Sequence, residues 1–215
     1  MNVGAPAGGM NNAAFTAVRV ILRAGHKPWC ILNGFSGLMR GEFRRFQWID
    51  VEGWATRGGS ELGTNRTLPE EDYGRVAYQL QQHDIHALLI VGGFEGYHAV
   101  LQLFHARDKY PAFCIPIVHL PATVSNNVPG TDYSLGTDTA LNAIVEACDR
   151  VKQSATSVRR RVFVVEVHGG RCGYLATMAA VAVRVFYRVV LTSITVGWSN
   201  ASVYTRRRGV IGKAG

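Results

Sequence analysis

The sequence predicts an α/β protein with an open, mostly parallel sheet and helices on both faces. Segments of strand and helix character alternate along the chain, and strand segments such as Ala87-Leu88-Leu89-Ile90-Val91 are apolar at every position rather than at every second one. Strands of that kind are covered on both sides. Glycine-rich turns stand between strand and helix, as Gly92-Gly93 does after Val91. The 215 residues, 47% of them hydrophobic, are enough for an ordinary core and exclude a disordered chain.

The first helix is predicted from Met10 to Ala24, where Ala14, Val18, Ile21 and Leu22 recur at helical spacing and Gly25 ends the run. Trp29-Cys30-Ile31-Leu32 reads as a buried strand closed by Asn33-Gly34. Pro69, followed by Glu70, Glu71 and Asp72, starts a helix whose Tyr73, Val76, Ala77 and Leu80 share a face. After the strand at Ala87–Val91, a helix runs from Phe94 to Arg107, a strand from Cys114 to Val118 and a helix from Thr137 to Gln153. The strand Val162–Val167 and an Ala-rich helix from about Gly173 complete the pattern.

The charge is uneven. Lys and Arg number 23 against 15 acidic residues, a net +8, which on its own suggests a polyanionic partner. Six of those bases (Arg184, Arg188, Arg206, Arg207, Arg208, Lys213) lie in residues 181–215, which hold no acid, so residues 1–180 carry 17 against 15, or +2. Cys30, Cys114, Cys148 and Cys172 show no C-x-x-C spacing, and three of the four lie in apolar surroundings that read as core. That usage, with no secretory signal at the N-terminus, implies a reducing, cytoplasmic setting. The stretch Tyr174–Trp198 is interrupted by Arg184 and Arg188, each costing about 2.5–3.5 kcal/mol at a membrane centre, so no spanning helix and no membrane partner are expected.

In open α/β folds ligands bind beyond the carboxyl ends of the strands, beside helix N-termini. Four loops fall there: Gly4 to Asn11, Gly92 to Gly96, Pro121 to Gly130 and His168 to Gly173. The first resembles a phosphate-binding turn but matches neither G-x-G-x-x-G nor the P-loop. In the second, the glycines serve either a ligand or a close helix–strand contact. Thr123-Val124-Ser125-Asn126-Asn127 offers two hydroxyls and two amides without charge. It reads either as a donor set for phosphate or sugar oxygens or as a turn. Arg66 and the run Arg159-Arg160-Arg161 are either solvated or phosphate-binding guanidiniums. His83, His86, His98 and His105 lack metal-ligand spacing, so no metal site is expected.

Taken together, the loops resemble the C-terminal half of animal and fungal 6-phosphofructokinase. The resemblance rests on Asn2-Val3-Gly4-Ala5-Pro6-Ala7-Gly8-Gly9-Met10-Asn11, Leu62-Gly63-Thr64-Asn65-Arg66-Thr67-Leu68-Pro69, Pro121 to Gly130, Cys148 to Ala155 and Gly169 to Met178, in order from residue 2 to about 180. It implies a sugar-phosphate pocket turned into an allosteric site for fructose 2,6-bisphosphate. The implied effector ligands are Arg66, Thr123, Val124, Ser125, Asn126, Asn127, Arg161, His168, Gly169 and Gly170, with Arg161 reaching in from a neighbouring subunit. His168 departs from the Met expected there.

The resemblance also implies no catalytic residues in this segment, because Ser125 and Asn127 stand where catalytic halves carry Asp. MgATP is then a cofactor of the parent enzyme alone, whose partners are further subunits of a homo-oligomer, a tetramer in the family. The implied organisation is a large α/β domain at 1–136, the incomplete beginning of a smaller α/β domain at 137–182, and a basic tail at 183–215 outside the family pattern. The sequence thus reads as a truncated regulatory fragment of a glycolytic kinase. The alternative is a non-catalytic polyanion-binding or scaffolding protein that uses the basic tail; the leading reading includes no nucleic-acid partner.

Overall fold

The computed structural model describes residues 1–157, 163–170 and 172–183, together with the backbone of Val189–Leu191 and Asn200–Thr205. It divides into two compact units, one of residues 1–123 and 127–136 and another of residues 124–126 and 137–215.

The first unit is built on a parallel sheet of β1 (Asn2–Val3), β4 (Leu88–Gly92) and β5 (Ile117–Pro121), with β4 in the middle. Before β4 come α1 (Met10–Arg23), β2 (Trp29–Ile31), α2 (Gly34–Arg40), β3 (Phe43–Arg45) and α3 (Tyr73–Gln82), while α4 (Phe94–His105) joins β4 to β5. Leu88 and Ile90 face a core with Val3, Phe35 and Leu38 of α2, Val76 and Leu80 of α3, and Leu103 of α4. Leu89 and Val91, pointing the other way as alternate residues must, line a cavity of about 800 Å³ with Ala14, Ala17, Val18 and Ile21 of α1. Helices therefore flank the sheet on both sides, as the doubly apolar strands require.

The expected elements shift in three places. Trp29–Ile31 does not join the parallel sheet: it pairs antiparallel with β3, Cys30 opposite Arg44, and Trp29 remains 38% exposed. A polar return strand only a dozen residues away closes this local pair, and its Arg-rich sequence gave no strand signal. Pro69 opens a 3₁₀ turn, Pro69–Glu71, rather than the helix itself. The helix begins after Asp72, whose carboxylate accepts from the Arg75 backbone N–H at 2.8 Å, satisfying one of the donors a helix start leaves unpaired. The strand expected at Cys114–Val118 lies later, at Ile117–Pro121, because the ladder starts where Leu88 N–H meets the Pro116 carbonyl at 2.9 Å. Cys114 is consequently exposed, and Cys172 half-buried, so two cysteines rather than three are core residues.

The second unit contains α5 (Thr137–Ser157), β6 (Phe163–His168), α6 (Tyr174–Ala182), β7 (Val189–Leu191) and β8 (Asn200–Thr205). Its sheet, in the order β6-β8-β7, is antiparallel, so among the described residues parallel pairing is confined to the first unit. Val167, Leu175, Ala176 and Ala180 form its core, joined by Val124, Leu141 and Ile144. The arginine cluster Arg206–Arg208, on which the polyanion reading rests, lies outside the described residues. No helix among the described residues is long and apolar enough to cross a membrane.

Truncating Leu103 to Ala, at a fully buried position, should cost about 2–5 kcal/mol in a urea melt. Asp72→Ala, which removes only the cap, should cost about 1 kcal/mol. With a thiol reagent at pH 8, exposed Cys114 should react first and Cys30 last, since burial pushes the Cys30 thiol up to about 11.

Candidate functional site

The loop that follows β1 is tied to a segment sixty residues away. Gly4 N–H donates to the Asn65 carbonyl at 2.8 Å, and the Thr64 hydroxyl donates to the Gly4 carbonyl at 2.7 Å. Asn65 Oδ1 in turn accepts from the Thr67 backbone at 2.9 Å. These bonds fix the backbone on either side of Arg66 and leave its guanidinium 64% exposed, with Glu95 Oε1 3.7 Å from its Nε. Glu95 stands in the first turn of α4, where a helix favours negative charge. No local pattern signals this ion pair, because Arg66 stands in a loop and Glu95 in a helix that begins 28 residues later.

At Gly92 the close contact is between two strands, not between helix and strand as expected. A Cβ there would stand 2.1 Å from the Val3 carbonyl oxygen, so this glycine permits close approach of β1 and β4. It is a packing requirement.

The loop after β5 is anchored at its start by Thr123 N–H donating to the Leu135 carbonyl and Leu135 N–H to the Pro121 carbonyl, each at 2.9 Å. Thr123 and Asn127 belong to the first unit, whereas Val124, Ser125 and Asn126 belong to the second. Asn126 has a φ of 50°, a left-handed conformation that Asn tolerates better than most residues. Val124 packs with the second unit's core. Ser125 is buried, and its Oγ lies 2.7 Å from where a Cβ at Gly170 would stand. The serine hydroxyl is thereby placed beside the turn that follows β6. In that turn Cys172 N–H donates to the Gly169 carbonyl at 2.8 Å; His168 and Gly170 are exposed and Gly169 is buried. Of the expected site residues, the structure thus brings Ser125 and Gly170 together within one unit. Arg161 lies outside the described residues.

Charge in these loops is sparse. Ser125 and Asn127 cannot ionise near neutral pH, and Arg66 and Glu95 face each other. His83 stacks on Phe43 with ring centres 3.8 Å apart, a packing role, and no group of three or more His, Cys, Asp or Glu among the described residues could hold a metal ion. His119, on β5, has its Nε2 3.0 Å from the Gly92 carbonyl. Burial holds its pKa below the ordinary 6.5, opposed by that hydrogen bond.

The segments after β1, β4 and β5 lie at the carboxyl ends of the parallel sheet, the edge at which open α/β folds bind ligands. The Phosphofructokinase family model matches residues 1–196, reaching past residue 182. The chain belongs to the phosphofructokinase family. It is 56% identical over 182 residues to the platelet-type ATP-dependent 6-phosphofructokinase of Mus musculus, covering 85% of this chain and 23% of that protein. Against the ATP-dependent 6-phosphofructokinase subunit beta of Saccharomyces cerevisiae it is 57% identical over 185 residues, 85% of this chain and 19% of that one. The structure of phosphofructokinase from Saccharomyces cerevisiae superposes with a TM-score of 0.83 at 52% identity, over 88% of this chain and 25% of that chain. A pyrophosphate-dependent phosphofructokinase from Marinobacter aquaeolei, 20% identical with a TM-score of 0.65, shares the fold, over 84% of this chain and 48% of its own. The chain thus spans no more than about a quarter of the curated relatives' length.

The His119 shift has a pH consequence. The unfolded chain takes up this proton at a higher pH than the folded one, so the histidine's contribution is whole above about 6.5 and lost as pH falls through the folded value. The melting temperature should fall between pH 7 and pH 5, and His119→Gln should flatten part of that slope.

Proposed function

We propose that this chain belongs to the regulatory, C-terminal half of an ATP-dependent 6-phosphofructokinase and binds a phosphorylated sugar, fructose 2,6-bisphosphate, without turning substrate over. The observation that carries this reading is the chemistry of Thr123–Asn127. The loop offers hydroxyls and amides, and no carboxylate at Ser125 or Asn127. Transfer of the γ-phosphoryl group of ATP to a sugar hydroxyl requires a base to accept the hydroxyl proton and an acid to hold magnesium. Serine and asparagine supply neither at neutral pH, but both donate to phosphate oxygens. Arg66 adds a guanidinium on a fixed backbone, suited to bidentate phosphate contact. In this reading Arg161 and the turn His168-Gly169-Gly170 complete the ligand set, the turn through its backbone donors.

The nucleotide side supports the same division of labour. Magnesium binds through hard oxygen ligands, carboxylates above all. The loops Ala5-Pro6-Ala7 and Gly93-Phe94-Glu95 contain one carboxylate, and it faces Arg66. These residues do not fit a resident MgATP, so phosphorylation of fructose 6-phosphate by ATP is assigned to the rest of the parent enzyme. The reading places the protein in the cytoplasm, in glycolysis, with other phosphofructokinase subunits as partners and no nucleic acid or membrane. It treats residues 1–136 as the large domain and 137–182 as the start of the smaller one, followed by a basic segment at 183–215 that carries β7 and β8.

A coupled kinase assay on the chain should be blank, and turnover abolished by Ser125→Ala would overturn the reading. Fructose 2,6-bisphosphate at 100 times its Kd should stabilise the chain by about 2.7 kcal/mol, visible as a raised melting temperature. Arg66→Ala should weaken binding by about ten- to a hundredfold, the range of one charge-assisted hydrogen bond. A folded chain with no thermal shift would defeat the proposal.

A further inference from the structure

Glu95 is placed with unusual closeness on the residues around Arg66. Its Oε2 lies 2.9 Å from where a Cβ at Gly4 would stand, and Gly4 itself has a φ of +92°. The backbone conformation favours glycine at that position, and the Glu95 carboxylate, the end of a flexible side chain, lies against it. The same Gly4 makes both hydrogen bonds that hold the 64–66 segment. Gly4 therefore fixes the Arg66 backbone on one side and seats Glu95 on the other. Arg66 can change partner by rotating its side chain, with no movement of the loop.

The contact between the two charges is loose. At 3.7 Å it is an ion pair without a short hydrogen bond, and the side chains are 64% and 35% exposed. Such pairs are weak and screened by salt. A phosphate group, with more charge and oxygens spaced for a bidentate guanidinium contact, is the stronger partner. A carboxylate that remains beside the guanidinium opposes the arriving anion.

We propose that Glu95 is a positioning residue that holds Arg66 toward the sheet in the unliganded protein and competes with the incoming phosphate for its guanidinium. Ligand binding exchanges the carboxylate of Glu95 for a phosphate on Arg66, and the negative charge of Glu95 limits the affinity. This rests on Arg66 being a phosphate contact, as proposed above.

The test is titration calorimetry with fructose 2,6-bisphosphate on the 215-residue chain at two salt concentrations, for the wild type, Glu95→Gln, Glu95→Asp, Arg66→Ala and the Arg66→Ala/Glu95→Gln double variant. Glu95→Gln should tighten binding about two- to fivefold at low salt, the scale of one exposed ion pair, and the gain should shrink at high salt. Glu95→Asp, which keeps the charge but shortens its reach, should fall between wild type and Glu95→Gln and keeps the test open if Glu95→Gln does not fold. In the Arg66→Ala background, Glu95→Gln should change little. Unchanged or weaker binding by Glu95→Gln, or an equal gain with Arg66 absent, would overturn the competition. Arg66→Ala without loss would overturn the phosphate contact itself, and absence of binding by the folded wild type would overturn both proposals.

Discussion

The short parallel pairing of β1 with β4 is the constraint on which the first unit turns. Asn2 lies opposite Val91 and Val3 opposite Gly92, and the close approach at Gly92 is possible only without a side chain. This register sets Gly4 at the carboxyl end of the sheet. From there its N–H and C=O capture Asn65 and Thr64, so a strand of two residues fixes a loop that begins far along the chain. The ladder between β4 and β5 extends the same edge to Pro121, and the polar loop after it starts in register with Leu135. The hydrophobic core beneath the sheet makes these pairings worth forming, but the hydrogen-bonded edge decides which polar groups meet.

The chemistry that meets there is short of negative charge. Fold alone carries no activity, because the same sheet can host a kinase site or a binding site. On the proposed function the distinction lies in single atoms, since a hydroxyl at Ser125 and an amide at Asn127 are good donors and poor bases. The remaining carboxylate in the Gly93–Gly96 turn is turned toward a guanidinium. On the proposed function, the serine and the asparagine would each donate to phosphate oxygens, and neither would receive a proton from an attacking hydroxyl.

The sequence was most informative where periodicity and chain breakers agree. The helix α1, the strand at Leu88–Gly92 and α4 are legible because apolar spacing marks each of them and a glycine punctuates one end, Gly25 after α1 and Gly93 between the strand and α4. It misled where local chemistry imitates another element. Cys114-Ile115-Pro116 has the composition of a strand, yet Pro116 has no N–H to give a ladder and contributes only its carbonyl, to Leu88 N–H, so the strand begins one residue later. Pro69 has the look of a first-turn residue, but three residues of 3₁₀ geometry precede the Asp72 cap. Trp29–Ile31 is apolar enough for the main sheet, while its partner Phe43–Arg45 is too polar to be noticed.

For the site, the residue types of Thr123–Asn127, Arg66 and the turn at His168–Gly170 were legible, because hydroxyls, amides, guanidinium and glycine have chemistries that do not depend on position. The opposition of Glu95 and Arg66 was not. The α/β class follows from the one-dimensional alternation of apolar and punctuating residues, and the absence of a base at Ser125 and Asn127 follows from covalent structure. Which strand pairs with which, which cysteines are buried and which carboxylate faces Arg66 are matters of long-range register. They are settled only when hydrogen bonds and packing bring distant segments to one edge of the sheet, since no local propensity encodes a contact across tens of residues.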